Sequence, residues 1–191
     1  MTLPKSILRV ALATGLLLLI PLLAMQFTQE VVWTFSDFVF AGVLLFGTGT
    51  AYVLIARKWN NTTYKLAVGV GVAAGLLLVW ANAAVGLVGS EDNPANLLYL
   101  GVPVVALTGA IMARFRPLGM SNAMFAASLT YVAITAIALF VWTPTGAAAE
   151  PQVHSVNVLV ANGVFAAIWA VSGWLFRRAS ATGSTLHQQV A

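Results

Sequence analysis

From Leu66 to Val88 the sequence contains no charged side chain, and the same holds from Leu97 to Ala113, Ala123 to Trp142 and Val156 to Phe176. Two earlier runs, Ile7 to Phe27 and Phe35 to Ala56, are interrupted by one charge each, Arg9 and Asp37. A helix crosses the hydrocarbon of a bilayer with about 20 mostly apolar residues. Six such runs predict an all-α fold: an integral membrane bundle of six transmembrane helices, one domain over residues 1–179, followed by a short polar tail at 180–191. The chain is 60% hydrophobic and 7% charged, where an ordinary soluble domain carries roughly 25% charged residues. So few charges cannot cover a water-facing surface, and six crossings leave no length for a separate soluble domain.

The connections sort the charges. All nine basic residues (Lys5, Arg9, Arg57, Lys58, Lys65, Arg114, Arg116, Arg177 and Arg178) fall on one side of a six-span threading. The five acids, Glu30, Asp37, Glu91, Asp92 and Glu150, fall on the other. Lys and Arg mark the cytoplasmic ends of membrane helices, whereas acids carry little topological weight. Both termini are therefore expected in the cytoplasm of a cell with a plasma or inner membrane, and the loop at 89–96 outside. The net charge of +4 then reports threading rather than a nucleic-acid partner.

The first run has the basic start and apolar middle of a cleavable signal. A cut after Ala24 would put Leu22 where cleavage prefers a small residue, so a retained helix is the expectation. Aromatic rings gather at the span ends, among them Trp33, Trp59, Tyr64, Trp80, Tyr99, Trp142, Trp174 and Phe176, as amphipathic rings do at the headgroup level. Asn93 followed by Pro94 predicts an N-cap and first-turn proline for the fourth helix, and Ser36 and Asp37 are candidate caps for the second.

The chemistry left open is narrow. With no cysteine, disulfides, thiolate ligands and a catalytic thiol are excluded. "GVGVAAG" at 69–75 lacks the spacing of a dinucleotide loop and follows no strand. Gly71 and Gly75 instead form a G-x-x-x-G step that lets helices approach closely, a role also expected of Gly42 and Gly47. Asn60 and Asn61 open N-x-Thr sequons on the predicted cytoplasmic side, where glycosylation does not occur. No nucleophile–base order, zinc-protease motif or buried carboxylate pair appears. His154 with Glu150, Glu91 and Asp92 makes no recognised metal spacing, and the second histidine, His187, lies in the tail, so no haem is held between two membrane histidines. Catalytic residues, metals and cofactors are all expected to be absent.

Polar residues inside or near the spans sit towards the outer side. At about 1.5 Å per residue, Asn82 comes about 25 Å up the third helix, Asn162 about 22 Å up the sixth and Asp37 about 30 Å up the second. With His154 and Asn157 at the start of the sixth helix, these five could line an outward-facing vestibule. Alternatively, Asp37 caps its helix at the water boundary while Asn82 and Asn162 bond between helices.

Three function classes follow. The first is a non-enzymatic accessory component, partnered by membrane lipid and by a second copy or a larger membrane complex. It is favoured because no ionisable group sits at mid-membrane. The second is a small-solute transporter or channel using the vestibule, with Pro21 and Pro103 as the internal helix breakers. The third is an intramembrane enzyme in the same cavity.

The stretch "VWANAAVGLVGSEDNPAN", residues 79–96, and more loosely residues 33–178, resembles an uncharacterised family of small multi-pass bacterial inner-membrane proteins. The first helix lies outside that likeness. The resemblance implies residence in a bacterial inner membrane and no site residues.

Overall fold

The computed structural model describes residues 2–89, 92–141 and 155–188. Among them are six α-helices, one 3-10 helix and no strand: α1 (Leu3–Phe27), α2 (Phe35–Ala56), α3 (Thr62–Ala84), α4 (Gly101–Met112), α5 (Pro117–Phe140) and α6 (Ser155–Gln188). The 3-10 helix, Pro94–Leu100, runs directly into α4. With that segment counted into α4, all six helices are long and apolar enough to cross a membrane. Backbone contacts gather into two compact units, Met1–Arg57 and Lys58–Ala191, where the sequence suggests one domain over 1–179.

The first unit is the pair α1 and α2. Helix α1 continues through Pro21. It approaches α2 along the glycine side: a Cβ at Gly42 would lie 3.5 Å from Leu18, and one at Gly49 2.6 Å from Val10. Thr14 in α1 and Ala41 and Ala56 in α2 are buried. Leu8, Leu12, Leu16 and Ile20 stand open, which a hydrocarbon solvent tolerates. Helix α2 starts with a capping box: Thr34 N donates to Asp37 Oδ2 at 2.6 Å, and Thr34 Oγ1 to the same oxygen at 2.8 Å. The N-cap is thus Thr34. Ser36 and Asp37, the residues expected there, lie inside the first turn, because the reciprocal box places its acid three residues after the cap.

In the second unit, Asn61 caps α3 by accepting from Tyr64 N at 3.0 Å, and Asn60 accepts from Lys65 Nζ at 3.3 Å. Helix α5 packs on both α4 and α6, and α6 packs on α3. Small residues allow these approaches. Gly109 lies so near Ala123 that a Cβ would come within 2.7 Å of its methyl and 3.2 Å of its Cα, and Gly119 meets Ala113 more tightly still. A Cβ at Gly71 would reach Ser172 Oγ at 2.9 Å and Met124 Sδ at 3.2 Å; one at Gly75 would touch Trp169 at 3.8 Å, and one at Gly47 nothing within 4 Å. Ser172 Oγ donates across to Ala67 O at 2.9 Å. Tyr64, Tyr99, Tyr131, Phe176 and Leu78 are the largest fully buried side chains.

Several boundaries move outward from the apolar runs. Helix α3 starts at Thr62 rather than Leu66 and α5 at Pro117 rather than Ala123, because caps and a first-turn proline set a helix start, not the edge of the oil. Helix α6 continues through the expected tail to Gln188, a stretch that no proline interrupts. Pro103 falls in the first turn of α4, just after the 3-10 helix.

Gly119→Val should lower stability by about 1–3 kcal/mol through overpacking against Ala113. Gly47→Ala, which meets no neighbour, should be neutral or raise stability by up to about 1 kcal/mol. Thermal unfolding of both variants in the same detergent checks the contrast.

Candidate functional site

The sharpest concentration of buried polar groups lies where α3 ends and the chain turns back towards α4. After Ala84 the backbone leaves the helix, with Gly86 at φ 72° and Gly89 at φ 70°, a left-handed conformation open to glycine at no steric cost. The 3-10 helix that follows starts at Asn93, whose side chain accepts from Ala95 N at 2.9 Å, with Pro94 in the first turn. The Asn93–Pro94 signal therefore opens a 3-10 turn, and α4 proper begins at Gly101.

Two asparagines stitch this turn to the bundle, and three further side chains extend the network. Asn96 Oδ1 accepts from Leu87 N at 2.8 Å and from Val88 N at 2.9 Å. Asn162 Nδ2 on α6 donates to Leu87 O at 3.0 Å and to Val158 O at 2.9 Å. Asn162 Oδ1 accepts from Tyr131 OH on α5 at 2.9 Å. Thr135 Oγ1 donates to Tyr131 O at 3.0 Å and stands 3.0 Å from Tyr99 OH. A hydroxyl has one proton, so Tyr99 is the donor in that pair. Tyr99 meets Tyr131 edge to face at 5.1 Å, and Tyr131 stacks on Phe165 at 5.9 Å. Asn96, Tyr99, Tyr131, Thr135 and Asn162 are all buried.

The predicted vestibule residues have different surroundings. Asn162 is 2% exposed, with both Nδ2 protons donated and Oδ1 engaged. Asp37 belongs to the first unit, is exposed, and is committed to Thr34. Asn157 is exposed. Asn82 is half-buried, and its Oδ1 is enclosed with no hydrogen-bond partner. His154 lies outside the described residues, as do Glu91, Trp142 and Glu150. Among the described residues no group of three His, Asp or Glu could hold a metal ion. Chemically the network can hold a loop and fix helix positions: its bonds run between its own side chains and to nearby backbone groups, and its five side chains include no carboxylate or imidazole.

Asn96, Tyr131 and Thr135 carry this network, and none of them is among the polar residues expected to line a site. A signal was present. On α5 the buried positions Met120, Met124, Ala127, Tyr131, Thr135 and Ala138 repeat at steps of three and four. Four of the six (Ala127, Tyr131, Thr135 and Ala138) are smaller or more polar than the exposed Leu129 and Val132. In oil the interior stripe is marked by small and polar residues, not by apolar ones.

No protein family, curated protein or solved structure matches the chain.

Asn162→Leu should destabilise the protein by about 2–4 kcal/mol, since it leaves Leu87 O and Tyr131 OH without partners. Tyr131→Phe should cost less. A double-mutant cycle of Tyr131→Phe with Asn162→Ala should give a coupling of about 0.6–1.7 kcal/mol, read from thermal or denaturant unfolding in one detergent.

Proposed function

We propose that the protein is a non-enzymatic accessory component of a bacterial inner membrane, with both termini cytoplasmic and its activity realised through a partner protein or lipid. The supporting observation is the closure of the polar end of the second unit. Asn162, the most deeply placed of the predicted vestibule groups, spends its amide on Leu87, Val158 and Tyr131. A solute path lined by such a group would need it free to exchange protein partners for the solute, at a cost of about 1–3 kcal/mol for each buried group left unmatched. The nine-to-none split of cations supports the cytoplasmic termini, and the resemblance of residues 79–96 supports the bacterial inner membrane.

A second reading keeps a solute path beside α3, on the strength of Asn82 Oδ1, which is enclosed without a partner. The two separate in proteoliposomes. Under the accessory reading, the purified protein alone moves no small polar solute above the rate of empty vesicles, and cross-linking in native membranes captures a second copy or a partner. Under the transport reading, uptake appears and is abolished by Asn82→Leu. Solute uptake by the isolated protein overturns the accessory role.

A further inference from the structure

The connection between α4 and α5 is the most strained backbone among the described residues. Arg114 and Phe115 take φ values of 50° and 59°, two successive non-glycine residues in the left-handed region. Such conformations persist only where the surroundings over-determine them, and they gather at functional positions. Here the surroundings do so plainly. Phe115 O accepts from Trp59 Nε1 at 3.0 Å and from Tyr64 OH at 2.9 Å, while Phe115 N donates to Ala110 O at 3.0 Å. Lys58 Nζ sits over the Phe115 ring, 5.6 Å from its centroid.

The result of this pinning is electrostatic. It fixes the chain at Lys58–Trp59 against the turn that carries Arg114 and Arg116, and all three cations are exposed. Like charges gathered at one end of the unit raise the local positive potential, which an anion would lower. The only described carboxylate of this unit, Asp92, lies in the loop beyond the opposite end of α3. Helix α5 has Arg116 as its N-cap, with no side-chain cap bond, so the positive pole of its dipole adds to the same field. The immediate neighbours are greasy: Met112 is 79% exposed, Leu118 55% and Trp59 42%. Cations beside exposed apolar side chains and an amphipathic indole fit a molecule that is anionic at one end and hydrocarbon at the other.

We propose that Lys58, Trp59, Arg114 and Arg116 form a binding site for the phosphate-bearing headgroup of an anionic phospholipid, whose acyl chain lies along Met112 and Leu118. The left-handed turn at Arg114 and Phe115 sets two arginines, Arg114 and Arg116, on either side of Phe115, whose carbonyl two aromatic side chains hold.

The test uses the full-length protein in a mild detergent, with short-chain phosphatidylglycerol titrated by native mass spectrometry and thermal shift. Phosphatidylcholine of the same chain length and free glycerol phosphate are the comparison ligands. Phosphatidylglycerol should bind in preference to both. Lys58→Gln and Arg116→Gln should each weaken it about fivefold, the effect of one basic side chain at an anionic surface. Arg114→Gly is the decisive variant. Glycine accepts the left-handed conformation, so the melting temperature without lipid should hold or rise while phosphatidylglycerol binding falls about fivefold. Arg177→Gln, outside the patch, should leave binding unchanged. Equal binding of phosphatidylcholine would overturn the site, and equal binding of glycerol phosphate would show an anion site without lipid character. A loss with Arg177→Gln as large as with Arg116→Gln would reduce it to diffuse surface charge.

Discussion

A backbone that leaves a helix while still surrounded by apolar groups has to find its hydrogen-bond partners elsewhere, at about 1–3 kcal/mol for each group that fails. The second unit meets that demand with two asparagines. Asn96 receives the N–H groups of Leu87 and Val88, and Asn162 supplies the missing donor to Leu87 O. Those bonds place the 3-10 helix, which hands its direction to α4. They also fix Tyr131 and, through Thr135, Tyr99 in the middle of the bundle. Remove the asparagines and the turn can be satisfied only by water, which would have to enter among buried aromatic rings.

The number and position of the helices were legible because oil imposes a length, and six runs of that length stand between charged connections. Asn93–Pro94 was legible as a helix start for the same reason that caps work in water. The sequence was less informative about who bonds with whom. Asp37, read as a lining group or a cap, proves to be the N3 partner of Thr34, a relation visible in the T-x-x-D spacing of residues 34–37. Asn162 was visible as a costly polar residue, but its partners come from α5 and from a loop far away in the chain. Asn96 sits beside Asn93 and looked like part of a solvated loop; only the folded geometry turns it inward. Pairwise specificity of this kind comes from the fold, and no periodicity encodes it.

The two ends of the second unit use their polar residues in opposite ways. Around Leu87 the hydrogen-bonding groups are neutral, inward-facing and matched to one another. Around Phe115 they are aromatic donors that hold a strained turn in place, while the charges point outward. One end spends its polar groups inside the fold and the other exposes its charges, a contrast on which both proposals above rest.

Helix α6 joins those ends. Its 34 residues amount to about 51 Å of continuous rod, well beyond the roughly 30 Å of oil a bilayer offers. From Asn162, which grips the far loop, to Gln188 the same helix runs for about 39 Å without a break. A twist applied to the Gln188 end would therefore be carried to Asn162 by unbroken helix, with no joint in between to absorb it.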